Sequence, residues 1–305
     1  MSATLGGRSA EVLVTGAGSF VGNYIVRHLT SLGIQVRAVY RTSTLAVESL
    51  QGRDNLTLIR GDLTDSTFLE SLSPCSAGVI HVAASGPTPG VSAVQLLRDN
   101  ALATASLVDY ALGSDCARFI LLSSVSVHGD MREARISVDS EIRNPSMYGL
   151  TKRAAELLLE ERSSYLASVA VRLPAVLGHG ARTHWLSRLL AAARSGRDIE
   201  ISNPSALFNN AVHQVDVCRF MARLLETEFE GFQAFPVASS DPITIAEVVS
   251  TVLAETASLS SVGVIESSRV AFSIDDSYAR SALGYESLAT ESAVRKYASE
   301  ESPGE

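Results

Sequence analysis

Apolar and polar residues along this chain change their period at intervals, and the changes mark out elements. Glu11-Val12-Leu13-Val14-Thr15 is an apolar run of strand length that leads straight into Gly16-Ala17-Gly18-Ser19-Phe20-Val21-Gly22. Tyr24, Ile25, Val26 and Leu29 then recur at helical spacing until Gly33, and Gln35–Tyr40 reads as a second strand ending at Arg41. Leu56–Ile59 and Gly78–Ala84 are two further apolar runs, the second closing in small residues. A long helical pattern covers Val91 to Leu112, with Asn100 inside it, and Phe119–Leu122 is a fifth strand closed by Ser123-Ser124. Strands alternating with helices predict an α/β fold with a doubly wound parallel sheet.

In such sheets ligands sit at the carboxyl ends of the strands. Gly16, Arg41, Asp62, Ala83 and Ser124 all fall at predicted carboxyl ends, so five positions converge on one edge. The strand, glycine turn, helix and second strand at the start form the context a dinucleotide fingerprint requires. Glycines let backbone N–H groups approach a pyrophosphate, and the helix N-terminus favours its charge. An acidic residue after the second strand would hold the ribose of NAD; an arginine there can pair with the 2′-phosphate of NADP. Tyr40-Arg41-Thr42-Ser43 has no acid until Glu48, which favours NADP over NAD.

Downstream, Pro145-Ser146-Met147-Tyr148-Gly149-Leu150-Thr151-Lys152 opens another helical pattern. Tyr148 and Lys152 are four apart, one turn apart on one face. A free phenol titrates near 10 (roughly the model-peptide value), and a neighbouring ammonium favours the phenolate. A serine hydroxyl at the end of the adjacent strand can hold a carbonyl oxygen beside that phenol, so the three groups suit proton transfer coupled to hydride transfer.

After Ala175 the pattern changes. Trp185–Ala191 is helical and stops at Gly196; Ile199–Ile201 and Phe235–Val237 read as short strands. Ile243–Ala254 is a helix opened by Thr244, with Glu247 three residues on. Asp216 reads as the cap of a helix that carries Arg219 and Arg223 on its solvated face, and the chain is expected to fray at residues 1–8 and 299–305.

Composition narrows the classes. The 305 residues are 46% hydrophobic and 19% charged, as in a globular domain or two. A net charge of -8 argues against a general nucleic-acid binder. No run has the length of a membrane span, and Met1–Arg8 lacks the features of a signal peptide. Three isolated cysteines, Cys75, Cys116 and Cys218, argue against a disulfide framework and for a reducing cytoplasm, and no histidine spacing suggests a metal.

The motifs, taken together, resemble the extended short-chain dehydrogenase/reductase family, the nucleotide-sugar epimerase, dehydratase and reductase group. The landmarks run from Thr15–Gly22 through Gly61-Asp62-Leu63, His81–Ala84, Asn100, Ser123-Ser124, Val127-His128-Gly129, and Tyr148 with Lys152, to Arg172-Leu173-Pro174 and His213 with Asp216. The resemblance implies a Rossmann domain over residues 9–175, with a return segment at about 211–238, and a smaller C-terminal substrate-binding domain from 176–210 and 239–298. It implies Tyr148 as general acid/base, Lys152 on the nicotinamide ribose, and Ser124 on the reacting oxygen. Gly16, Gly18, Ser19, Phe20 and Val21 would line the pyrophosphate, Asp62 and Leu63 the adenine, and Val82, Ala83, Ala84 and Pro174 the rest of the cofactor. Ser126, His128 and Ala175 would face substrate, His128 being equally readable as a core histidine. Asn100 would act structurally or in a proton route. A homodimer through the helices near Asn100 and Lys152 is implied as well.

Three departures matter. Ser19 replaces the family's middle glycine, and Ala175 an asparagine common in nucleotide-sugar enzymes. Phe208–His213 also lacks the arginine that grips a diphosphate, for which Arg182, Arg188 and Arg194 are candidate substitutes. The leading expectation is an NADP-dependent reductase of a keto group on a nucleotide-linked 4-keto sugar. An NAD(P)-dependent 4-epimerase is the nearest alternative, and an inactive NADP(H)-binding sensor the alternative from another class. Val125 and Ser126 stand where dehydratases carry an Asp-Glu pair, which argues against that chemistry.

Overall fold

The computed structural model describes residues 11–182, 184–268 and 270–300. The expected fraying at residues 1–8 and beyond Glu300 lies outside the described residues. Strands β1 (Glu11–Thr15), β2 (Gln35–Tyr40), β3 (Leu56–Arg60), β4 (Gly78–His81) and β5 (Phe119–Ser124) join Ser168–Leu173 and Phe232–Pro236 in one seven-stranded sheet. Its order is Phe232–Pro236, Ser168–Leu173, β5, β4, β1, β2, β3. Every pairing from β3 across to β5 is parallel. Val12, Leu13, Val14 and all six residues of β5 are buried, because helices cover both faces and leave no wet side. The winding reverses at β1, and the crevice this creates at the carboxyl ends of β1 and β4 is where the glycine turn lies.

Helix α1 (Phe20–Ser31) starts from that turn. Gly16 has φ +75°, and a Cβ there would lie 2.7 Å from the Ala83 nitrogen; a Cβ on Gly22 would lie 2.1 Å from the Gly16 oxygen. Both positions therefore need glycine, the first also for its left-handed backbone. Ser19 does not: its φ is -82°, and its hydroxyl caps α1 by accepting the Gly22 N–H at 3.1 Å. The serine in place of the family's glycine thus costs no backbone strain.

The chain forms two compact units. One holds the sheet: the chain up to Gly129, Ile142–Arg172 and Val217–Phe235. The other comprises Asp130–Glu141, Leu173–Asp216 and the chain from Pro236. Asp130–Glu141, read from the sequence as part of the Rossmann domain, falls in the second unit because Arg135–Ile136 pairs with Ser273–Ile274. In that unit Ala175–Leu177 pairs in parallel with Ala211–His213. The helix Ile245–Glu255 carries the expected capping box of Thr244 and Glu247.

Four sequence expectations need correction. The pattern at Val91–Leu112 is not one α-helix: a π-helical turn, Leu97–Leu102, separates Ala93–Leu96 from Ala103–Gly113, because Asp99 and Asn100 both turn inward to polar partners. Asp216 lies inside the first turn of Gln214–Glu226 and accepts the Leu288 N–H at 3.0 Å, so it ties down a neighbouring segment rather than capping. The strand at Phe235 is Phe232–Pro236. Ser299 and Glu300 remain helical, Glu300 being held by Lys296 and His213.

Candidate active site

Ser124 ends β5, its hydroxyl accepts the Ser126 N–H at 3.1 Å, and it lies near enough to the Tyr148 phenol to favour the ionised form. Tyr148 and Lys152 sit on the helix Met147–Glu161, capped by Ser146, whose hydroxyl accepts the Gly149 N–H. Gly149 lets this helix touch the turn after β5: a Cβ there would lie 2.1 Å from the Ser126 oxygen. The two adjacent serines divide their work. Ser124 faces the phenol, whereas the Ser123 hydroxyl donates to Glu156 Oε1 at 2.6 Å.

Glu156 is fully buried and was not singled out from the sequence. It takes two N–H bonds from Arg172, at 3.0 and 2.9 Å, and one from Arg153 at 3.1 Å. Its place one turn beyond Lys152, in line with Tyr148, is a signal that could have found it. His128 has no exposed surface and lies 3.4 Å, Nε2 to Nη1, from Arg172. Its burial is that of a core histidine.

Lys152 is buried, and its ammonium donates to the Leu122 carbonyl at 2.8 Å. Burial draws its pKa from 10.5 to about 8, against the opposing charge of Glu156. Tyr148 moves the other way: burial raises its pKa, and the nearby Ser124 hydroxyl only partly opposes this. The expected lowering of the phenol by Lys152 is thus not the dominant effect, since the ammonium is turned to a carbonyl.

A cleft at the carboxyl edge is lined by Gly16, Gly18, Ser19, Arg41, Asp62, Leu63, Ala83 and Ala84, all expected to meet cofactor, together with Thr44 and Asp99. Phe20 and Val21 form the first turn of α1 beside it, with no acidic side chain to offset the positive helix end. The glycine cradle, the acid-free helix end and the cleft fit a dinucleotide. Pro174, buried, and Ala175, half-buried, belong to the second unit. Of the candidate arginines there, Arg194 donates to the Ala298 carbonyl at 2.7 Å, while Arg182 and Arg188 are exposed.

A directed relay fixes the floor of the cleft. The Val82 and Ala83 N–H groups donate to Thr15 Oγ1, Thr15 lies 2.7 Å from His81 Nδ1, and His81 Nε2 lies 3.0 Å from Thr104 Oγ1. Thr104 in turn donates to the Asn100 carbonyl. Because Thr104 spends its proton there, His81 carries its hydrogen on Nε2 and accepts from Thr15 on Nδ1. Burial, aided by the charge of Lys152, draws the pKa of His81 to about 3 and keeps the ring neutral. Asn100 clasps Ser85 through both N–H and C=O, at 2.7 and 3.0 Å, and donates to Thr151 at 3.0 Å, which is a structural role.

Arg41 is not a lone cation. It forms a two-pronged pair with Asp99, at 3.1 and 3.3 Å, with Asp62 3.9 Å away. No local pattern around residue 99 announces a partner for residue 41.

The chain belongs to the NAD dependent epimerase/dehydratase family, whose model matches residues 12–238. It is an enzyme family of nicotinamide-dependent chemistry. A dTDP-4-dehydro-6-deoxy-D-allose reductase of Streptomyces bikiniensis is 27% identical over 263 residues, 80% of each chain. The structure of MoeE5 in complex with UDP-glucuronic acid and NAD has 29% identity and a TM-score of 0.78, covering 96% of this chain and 97% of that one. The fold also matches a UDP-glucose 4-epimerase of Thermotoga maritima, with 20% identity, a TM-score of 0.80, and coverage of 94% and 97%.

The sequence contains two lysines, Lys152 and Lys296, so the buried ammonium can be followed directly. Lys152 is expected to be cationic below, and neutral above, a midpoint of about 8. The folded protein then holds fewer protons on this group than the unfolded chain between about 8 and 10.5, and the stability penalty of burying it, full below 8, is relieved as pH rises through that window. Lysine ε-methylene NMR, assigned with Lys296→Arg, measures this; a Lys152 midpoint at the ordinary value of roughly 10.4 would contradict the desolvated setting.

Proposed function

We propose that this protein is an NADP-dependent oxidoreductase that reduces a keto group on a nucleotide-linked sugar. The observation that carries it is the Ser124–Tyr148 hydroxyl pair, backed by buried Lys152 and joined in one unit to a dinucleotide cleft. The bound dinucleotide supplies a hydride to the carbonyl carbon. Ser124 holds the carbonyl oxygen, and Tyr148 donates its phenolic proton to that oxygen as negative charge develops there. Burial keeps the Tyr148 phenol protonated at neutral pH, the state a reduction needs. Lys152 orients the nicotinamide ribose and stabilises the phenolate left behind. The nucleotide-sugar class rests on the reductase relative and on the UDP-sugar complex of the structural relative. A 4-epimerase, using the same three residues, is the second reading. It is favoured by the NAD in that complex.

NADP is assigned from Arg41 at the end of β2. No helix among the described residues is long and apolar enough to cross a membrane, and the buried cysteines form no disulfide, which supports the cytoplasm as the site of action. A homodimer is supported by exposed apolar side chains on packed neighbours: Val94, Leu97 and Leu102 on the segment 93–102, Leu150 and Leu157 on the helix Met147–Glu161.

Tyr148→Phe is expected to lower ketone-dependent NADPH oxidation by about 10²–10⁴-fold, with NADPH affinity nearly unchanged; wild-type turnover in this variant rejects the assignment. Arg41→Asp should weaken NADPH far more than NADH in a binding titration, and an unaltered preference removes the phosphate contact. Replacing Leu150 and Leu157 together by Glu should yield a monomer by sedimentation velocity; a dimer persisting there would move the interface elsewhere.

A further inference from the structure

We propose that Asp99 sets how strongly this site discriminates for a 2′-phosphate, by holding the Arg41 guanidinium that otherwise pairs with it; this rests on the dinucleotide reading above. Arg41 and Asp99 line the same cleft, from elements 58 residues apart in sequence. Their contact is a planar fork on a carboxylate, the geometry a phosphate would also claim. The two partners are not equally placed. The Asp99 side chain is 4% exposed, whereas that of Arg41 is 49% exposed. Arg41 is therefore the half that can swing.

Asp99 is pinned independently of Arg41. The Ser85 hydroxyl donates to its Oδ2 at 2.6 Å and Arg98 Nε to its Oδ1 at 2.9 Å. Ser85 is itself clasped through its backbone by Asn100. The π-helical turn points both consecutive residues inward at Ser85, so the carboxylate cannot follow the arginine out. When Arg41 leaves, Asp99 keeps two donors and is not orphaned, which makes the exchange feasible. Burial opposes its charge, but hydrogen bonds from Arg41, Ser85 and Arg98 outweigh that and draw its pKa to about 2, so the carboxylate stays charged across the working pH range.

A 2′-phosphate arriving at Arg41 must therefore break an existing ion pair and sit near two carboxylates, Asp99 and Asp62. A cofactor without that phosphate leaves the pair intact. The pair taxes NADP but not NAD, and its removal should sharpen the preference for NADP.

The test is the ratio of NADH to NADPH dissociation constants, by fluorescence titration, in the wild type, Asp99→Asn, Arg41→Ala and the double variant. Asp99→Asn is expected to raise the ratio about tenfold or more, and the rise should vanish without Arg41. An unchanged ratio in folded Asp99→Asn, or a rise that survives in the double variant, overturns the proposal. If Arg41→Ala alone leaves the ratio unchanged, the phosphate contact assigned to Arg41 fails instead, which separates the two readings. Should Asp99→Asn not fold, crystals of the wild type with 2′,5′-ADP and with 5′-ADP decide. Arg41 should quit Asp99 with the first ligand and stay with the second; Arg41 remaining on Asp99 in both overturns the proposal.

Discussion

The buried pair of Glu156 and Arg172 is the contact on which the arrangement of the candidate site depends. One carboxylate, wholly out of water, joins the helix that carries Tyr148 and Lys152 to Arg172 on a sheet strand and to Ser123 at the end of β5. Such a pair need not stabilise the fold more than apolar packing would, but removing one partner leaves an uncompensated charge, at about 3–5 kcal/mol. Its value is positional. It brings the helix face bearing the phenol onto the strand end bearing Ser124, and its negative charge favours the Lys152 ammonium.

That arrangement divides labour between neighbours that look equivalent in sequence. Ser123 and Ser124 differ only in which way the strand turns them, and alternation along β5 gives one to the ion pair and the other to the phenol. Asp99 and Asn100, adjacent on the π-helical turn, also divide their partners, one pairing with Arg41 in the cleft, the other bonding Thr151 on the helix Met147–Glu161. His81 and its two threonines connect these halves beneath the cleft. The site is thus a set of short, directed hydrogen-bond chains, of which that through His81 ends on the backbone of Val82, Ala83 and Asn100.

Much of this was legible in the residues. The apolar runs located the five strands through Ser124, because the inner parallel strands are buried and leave a continuous signal, and the edge strand β3 is still apolar at three of its five positions. The glycine turn was legible because Gly16 and Gly22 are required by contacts under 3 Å. The Thr244 cap was legible because its chemistry is local. What was missed is long-range. Glu156 was not singled out because nothing local marks a charged helix residue as buried, and Asp99 because two of its partners, Ser85 and Arg41, lie 14 and 58 residues away. The fate of Asp130–Glu141 turned on a two-residue pairing across the chain that no periodicity announces. The phenol's rise was misjudged because spacing conveys proximity to Lys152 but not where its ammonium points.

The wide turn at Leu97–Leu102 carries a consequence for how this chain can vary. A π-helical turn accommodates one residue more than regular pitch allows. Deleting any single residue from it would restore ordinary winding, leaving the flanking helices nearly in phase but one fewer side chain turned inward. Asp99 and Asn100 could then no longer both reach Ser85. The segment therefore tolerates exchange of its outward-facing side chains far better than any change in its length.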